Sequence, residues 1–331
     1  MRFEVSGMGG AGTRGDTSLP AIFAEARLVE QLGFDGLWGS DHLWDLVDRH
    51  KDQLERFTVM AAVAGRTSRL RLGTLVAGNT YRHPAVLAKL VTSVDVISGG
   101  RVELGIGTGW TVPEHHAYGV PLPPFRERVE RLDEALAVIR LLWTERDATF
   151  EGKYYSLKDA PFAPKNVQTP HVPIMVGGVS DALIRIAVKH GDEWSAGMAS
   201  PGFAREKIAR LERFCEEAGR DPAAVKRSVL LSLKFIDDPA EAEQYRRDYV
   251  ALQIRLGERK LTQKVNWIGA DETLEEGLLG MMLCGSADEI CAGVERFQAL
   301  GFGRIFLTVG DHENLRRFSA EVMPRFQTSA A

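Results

Sequence analysis

Short apolar runs alternate with longer amphipathic stretches along most of the chain. Residues 2–6, 36–39, 70–76, 102–106, 173–176, 193–196, 228–235 and 304–309 have the length and apolar content of buried strands. Helical periodicity fills most of the intervals. In 125–143, Phe125, Val129, Leu132, Leu136, Ile139 and Trp143 recur at steps of four and three and make one apolar stripe. Arg126, Glu127, Arg128, Glu130, Arg131 and Asp133 fill the solvated face. A second helix, 84–97, begins on a proline and stops at Ser98-Gly99-Gly100. Strand–helix alternation implies parallel strands. Eight strands in one series predict an α/β fold, a (β/α)8 TIM barrel with insertions, as a single domain over residues 1–331.

An internal echo supports a repeated strand–helix plan. Leu-Gly-Phe-Asp-Gly-Leu-Trp-Gly-Ser-Asp-His at 32–42 matches Leu-Gly-Phe-Gly-Arg-Ile-Phe-Leu-Thr-Val-Gly-Asp-His at 300–312. Each reads as a glycine-capped helix end, a buried strand and a polar Asp-His pair. Two segments exceed a minimal barrel. Residues 144–172 carry Pro161, Pro164 and Pro170, with strand-like Thr149-Phe150 and Tyr154-Tyr155 around Glu151-Gly152-Lys153, and read as a hairpin followed by a loop. Residues 237–285 are long, charged and partly helical, the composition of a lid or binding loop.

The bulk numbers narrow the class without selecting a function. Of 331 residues, 44% are hydrophobic and 26% charged, which is ordinary for a globular enzyme. A net charge of −4 gives no electrostatic reason to expect nucleic acid or an anionic membrane as partner. No apolar run approaches the ~18 residues of a membrane span, and Met-Arg-Phe-Glu-Val-Ser lacks the apolar core of a signal peptide. Cys215, Cys284 and Cys291 form no Cys-x-x-Cys pair, so a reducing cytoplasm fits best.

The richest stretch is Arg-Val-Glu-Leu-Gly-Ile-Gly-Thr-Gly-Trp at 101–110. Three glycines at alternate positions open the end of a strand for a flat or charged ligand. A dinucleotide loop would need another glycine spacing and a helix that opens at once. Here Pro113 follows, and no helical pattern resumes before about Pro124. Barrel ligands bind at the C-terminal ends of strands. Those ends carry Ser40-Asp41-His42, Leu75-Val76-Ala77-Gly78-Asn79-Thr80, Gly105–Trp110 and Gly177-Gly178. His42 can accept or donate a proton near neutral pH. Asp41 either orients His42, binds ligand or caps the next helix. Gly177-Gly178-Val179-Ser180-Asp181 offers backbone amides to a phosphate, or an ordinary turn with Ser180 as helix cap. Glu114 suits a proton donor, whereas the adjacent His115 and His116 point apart and do not suggest a metal. No Gly-x-Ser-x-Gly nucleophile elbow occurs. Trp38 reads as core, and Trp44 and Trp110 lie past strand ends.

With these residues in view, the chain resembles the luciferase-like monooxygenase superfamily, and within it the deazaflavin (coenzyme F420)-dependent oxidoreductases. The resemblance rests on 32–43 with its Ser-Asp-His, on Leu-Gly-Thr-Leu-Val-Ala-Gly-Asn-Thr-Tyr-Arg-His-Pro at 72–84, on 95–110, on 170–178 and on 283–309. It implies a flavin-type ring across the strand ends, touched by Asp41 and His42. A bulge after the third strand, often with a cis peptide, would back the ring; here that is Leu75–Val76, with Gly78 and Asn79 beside it. Gly107, Thr108, Gly109, Gly177 and Gly178 would hold the ribityl chain and phosphate. The sugar-phosphate dehydrogenase branch places an acidic residue after Gly-Thr-Gly, where this chain has Trp110, so the pocket reads as more apolar. The expected activity is F420-dependent hydride transfer to or from a small organic substrate. The alternative is an FMN-dependent monooxygenase fed by a separate flavin reductase. A homodimer is common in the resembling family.

Overall fold

The computed structural model describes residues 1–8, 16–46, 48–258 and 266–326. Eight parallel strands close a ring: β1 (Arg2–Ser6), β2 (Gly36–Gly39), β3 (Arg71–Thr74), β4 (Val102–Gly107), β5 (Ile174–Gly177), β6 (Glu193–Ser195), β7 (Lys226–Phe235) and β8 (Arg304–Val309). Consecutive members pair in register, and β8 closes on β1 with Arg2 opposite Arg304 and Ser6 opposite Thr308. Each expected strand is present. Helices Leu19–Gln31, Arg56–Ala64, Pro84–Ser98, Phe125–Thr144, Asp181–His190, Pro201–Glu217 and Ala287–Ala299 pack around the ring. Among the described residues, no helix is long and apolar enough to cross a membrane.

Three elements depart from the sequence reading. The 70–76 run stops at Thr74 and resumes as Ala77–Gly78 against the end of β4, with a cis Leu75–Val76 bond between. The 147–161 hairpin pairs Asp147–Glu151 with Ser156–Pro161, so Tyr154 and Tyr155 lie in its turn instead of its strand. The 237–285 insertion is partly helical as expected, with the helix Pro239–Glu258, but it ends in an unexpected strand, Met282–Gly285; its stretch 259–265 lies outside the described residues.

That last strand extends the barrel wall. β7 is ten residues long, whereas β6 has three. On one edge of β7, Ser228 O and Leu230 N–H bond Ala196 N–H and Gly197 O just past β6. Higher on the same edge, Ser232 N–H bonds Met281 O and Ile236 N–H bonds Gly285 O. Met282–Gly285 therefore continues the wall where β6 has ended.

The main core lies between ring and helices, and a smaller one fills the barrel: Trp38, Met175 and Phe306, with Leu75, Val76 and Leu230 packed on it. Below it, inward-pointing charges from five strands meet. The buried Arg304 guanidinium reaches Glu103 at 2.7 Å, Glu193 at 3.4 Å and Glu4 at 3.4 Å. Arg2 also pairs with Glu4 and Glu103, and Arg71 with Glu103. Burial pushes Glu4 up to about 7 against the pull of Arg304, with Glu103 adding to the rise. Burial also opposes ionisation of Glu103, but Arg304, Arg2 and Arg71 hold it down to about 2. Oε2 of Glu4 is buried without a hydrogen-bond partner, which suits the neutral acid.

This asymmetry has a sign. Glu4 is raised from 4.5 to about 7, so the folded state keeps a proton that the unfolded chain releases. Its contribution to stability falls as pH rises through that interval, by at most about 1.4 kcal/mol per pH unit. We expect Glu4→Gln to remove this fall. Urea unfolding of both proteins at pH 5, 6 and 7 checks it, and parallel pH profiles would contradict it.

Candidate active site

Polar groups from β2, β3 and β4 converge at the C-terminal ends of the strands. Val76 stands between two glycines there. A Cβ on Gly107 would lie 3.1 Å from Val76 Cγ2, and one on Gly177 would lie 3.0 Å from Val76 Cγ1. Gly105 gives way to the neighbouring strand: a Cβ there would overlap the Thr74 carbonyl oxygen. These glycines thus seat the Leu75–Val76 bulge at the strand ends. Gly109 differs, with a φ of +75° that favours glycine where the chain turns out of β4.

A helix follows at once, contrary to the sequence reading. Val112–Tyr118 is seven residues long, with Pro113 in its first turn and Gly119 as a left-handed C-cap. Proline near a helix start is a starter, although in the sequence it reads as a breaker. This helix buries Glu114 completely and His115 to 2% exposure.

Glu114 is the hub. Its Oε2 accepts from His42 Nδ1 at 2.9 Å and from the Tyr81 hydroxyl at 2.6 Å. Its Oε1 accepts from the Leu43 N–H and, at 3.4 Å, from the Trp44 N–H. Burial works against ionisation, but the bonds from His42, Tyr81 and Leu43 outweigh it and hold Glu114 below the usual carboxylate value. Both oxygens are acceptors, so this geometry favours an orienting carboxylate over a proton donor. Burial, then the adjoining Glu114, push the Tyr81 phenol far upward, which keeps it a donor. Tyr81 also stacks on His115 at 4.8 Å. His115 is tied to Thr80 at 2.7 Å and to the Thr111 carbonyl at 2.8 Å.

With the carboxylate at Nδ1, that nitrogen carries the ring hydrogen and Nε2 is left as a base. Thr111 Oγ1 approaches Nδ1 at 3.5 Å, and Trp110 meets the imidazole edge-on at 5.7 Å. Tyr81→Phe keeps the stack on His115 and removes one donor from Glu114. Turnover is expected to fall about tenfold, because Glu114 is then held less firmly behind His42. Turnover within about twofold of the parent would assign Tyr81 to packing alone.

Asp41 is neither a helix cap nor in contact with His42's ring nitrogens. Arg82 grips it through both nitrogens, at 2.7 and 2.9 Å, and Gly78 N–H donates at 3.2 Å. Burial raises the Asp41 carboxyl, and Arg82 works against that rise. Gly178 is committed as well: its N–H bonds Ser195 O, and its carbonyl accepts from Trp194 Nε1 at 2.8 Å. Ser180 caps the helix Asp181–His190 by accepting from the Leu183 N–H at 3.3 Å. Asn79 N–H bonds Gly107 O at 3.0 Å, and its buried Oδ1 has no partner. Thr108 is buried, and its hydroxyl makes only a 3.4 Å contact to Gly109 O. Tyr81 and Arg82 hold the site together and were not singled out from sequence, although both lie in the 72–84 run.

Comparison with known proteins follows this geometry. The family described as luciferase-like monooxygenase matches residues 1–304. An F420-dependent glucose-6-phosphate dehydrogenase of Kineococcus radiotolerans is 32% identical over 307 residues, covering 89% of this chain and 90% of that protein. Among solved structures, an F420-dependent secondary alcohol dehydrogenase in complex with an F420-acetone adduct superposes with a TM-score of 0.81 at 20% identity, covering 99% of each chain. The EDTA monooxygenase of Chelativorans sp. BNC1 gives 0.81 at 18% identity, covering 100% of this chain and 94% of that one. At such identities, both show the shared fold.

Proposed function

The chain belongs to the luciferase-like monooxygenase family, and on that footing we propose that it is a coenzyme F420-dependent oxidoreductase acting on a small organic substrate. The observation that carries the reading is the pair of partly buried His42 and buried Glu114, with Nε2 left over, at the strand ends beside the Leu75–Val76 bulge. The kinship with an F420-dependent dehydrogenase supports the choice of coenzyme.

The residues fit such a group. Leu75 and Val76 form a partly apolar seat over the Trp38 cluster. The unpartnered Asn79 Oδ1 would accept from an N–H-bearing ring edge. Thr108, the Gly107–Gly109 turn and the first-turn amides after Gly177 and Gly178 would hold the ribityl phosphate end. Asp41, fixed by Arg82, holds the Gly78 amide and keeps that strand end in place. When bound, the deazaflavin supplies a two-electron hydride acceptor or donor. His42 then takes or returns the hydroxyl proton through Nε2, while Glu114 keeps its tautomer and orientation. Three buried free thiols suit a reducing cytoplasm.

A paired titration tests the reading. The apoprotein's tryptophan fluorescence is followed with oxidised F420 and with FMN. F420 should quench at least tenfold more tightly. Tighter FMN binding would overturn the reading in favour of an FMN monooxygenase supplied by a flavin reductase.

A further inference from the structure

The groups around His42 divide sharply by character. The inner side is polar, and its two carboxylates are largely committed. Glu114 accepts from His42, Tyr81, Leu43 and Trp44, and Asp41 from Arg82 and Gly78. Arg82 also binds Glu55 at 2.7 Å. Arg128 donates to the carbonyls of Gly109 and Pro123. Glu114 takes four donors and Asp41 three, which leaves little on either for a row of sugar hydroxyls.

The outer side is aromatic and open. Trp110 is 55% exposed although it stands edge-on to His42. Tyr118 is 54% exposed and meets the Trp44 ring at 5.8 Å, two residues along from His42. Large aromatic rings left in water beside a partly buried base are surface that a ligand can desolvate. Arg49 lies 5.1 Å over Trp44, and Arg128 is held by the carbonyls of Gly109 and Pro123.

We infer that the substrate is an alcohol or carbonyl compound whose reacting carbon bears an aromatic or branched apolar group stacked on Trp110, and not a sugar phosphate. This rests on the oxidoreductase reading and separates the chain in specificity from the glucose-6-phosphate dehydrogenase it resembles. His42 would meet the substrate oxygen, and Trp110 and the Trp44–Tyr118 pair would cover the rest.

Calorimetric titration of the apoprotein and of the F420-loaded protein, with 1-phenylethanol, acetophenone and glucose 6-phosphate, tests this without relying on turnover. The aromatic pair should bind at least tenfold more tightly than the sugar phosphate. Trp110→Ala should weaken the aromatic ligands about tenfold and leave F420 affinity unchanged. Tighter glucose 6-phosphate binding, or aromatic binding indifferent to Trp110→Ala, would overturn the inference. If F420 binds and glucose 6-phosphate alone reduces it, the substrate class fails and the coenzyme reading stands. If F420 does not bind but the aromatics do, the coenzyme reading fails and the aromatic site stands.

Discussion

His42→Ala is expected to lower F420-linked turnover at least a hundredfold while the coenzyme's Kd stays within about twofold. Among the described residues at the strand ends, the imidazole combines a carboxylate fixed behind it with a second nitrogen to spare. Its loss removes the proton acceptor and leaves seat residues Leu75, Val76 and Asn79 in place. The truncation also strips one of the donors from the buried Glu114. His42→Asn therefore serves as companion, since its amide can still donate to Glu114 but cannot act as a base at neutral pH. Both variants should be folded by circular dichroism and inactive. Turnover within tenfold of the parent in either variant would remove His42 from the chemistry.

Arg304→Ala should cost about 3–5 kcal/mol of stability at pH 7. The guanidinium faces three carboxylates at the base of the barrel and is itself 4% exposed. Burial works against its charge, but Glu4, Glu193 and Glu103 hold its proton more firmly than usual. Without it, Glu103 keeps Arg2 and Arg71, whereas buried Glu193 loses its ion-pair partner and keeps only the Ser228 hydroxyl. The deficit should shrink towards pH 5, as the stranded carboxyls take up protons. Urea denaturation at both pH values measures it. A loss under about 1 kcal/mol at pH 7 would mean that water or the two partly exposed arginines already solvate the cluster.

The barrel was readable because its signals are local and repeated. Strand runs, the helix stripe of 125–143 and the 32–42 and 300–312 echo each need only neighbouring residues. In the structure, Gly33 and Gly301 take φ of +86° and +85°, the same helix-end turn twice. The second Asp-His pair diverges, since Asp311 caps the helix His312–Arg317. What stayed hidden depended on distant contacts. Pro113 looks like a stop until Gly119 and the burial of Glu114 reveal a helix. Gly105 looks like a ligand opening until the Thr74 carbonyl occupies the space. The role of Asp41 stays open in the sequence, between orienting His42, binding ligand and capping a helix, because Arg82, 41 positions away, cannot be paired with it from the chain alone. The strand Met282–Gly285 is short and lies in a charged insertion, and only the unfilled edge of β7 explains it.

That shared edge bears on how such enzymes can be recombined. Two segments of the chain, 193–195 and 282–285, serve one edge of β7 in turn. The 237–285 insertion is consequently not a cassette that can be lifted out or exchanged whole to redirect specificity. A chimaera cut at its outer borders would carry away part of the barrel and leave the upper edge of β7 unpaired beside the active site. Grafts that stop short of Met281 keep the wall intact, so the usable crossover points lie inside the insertion.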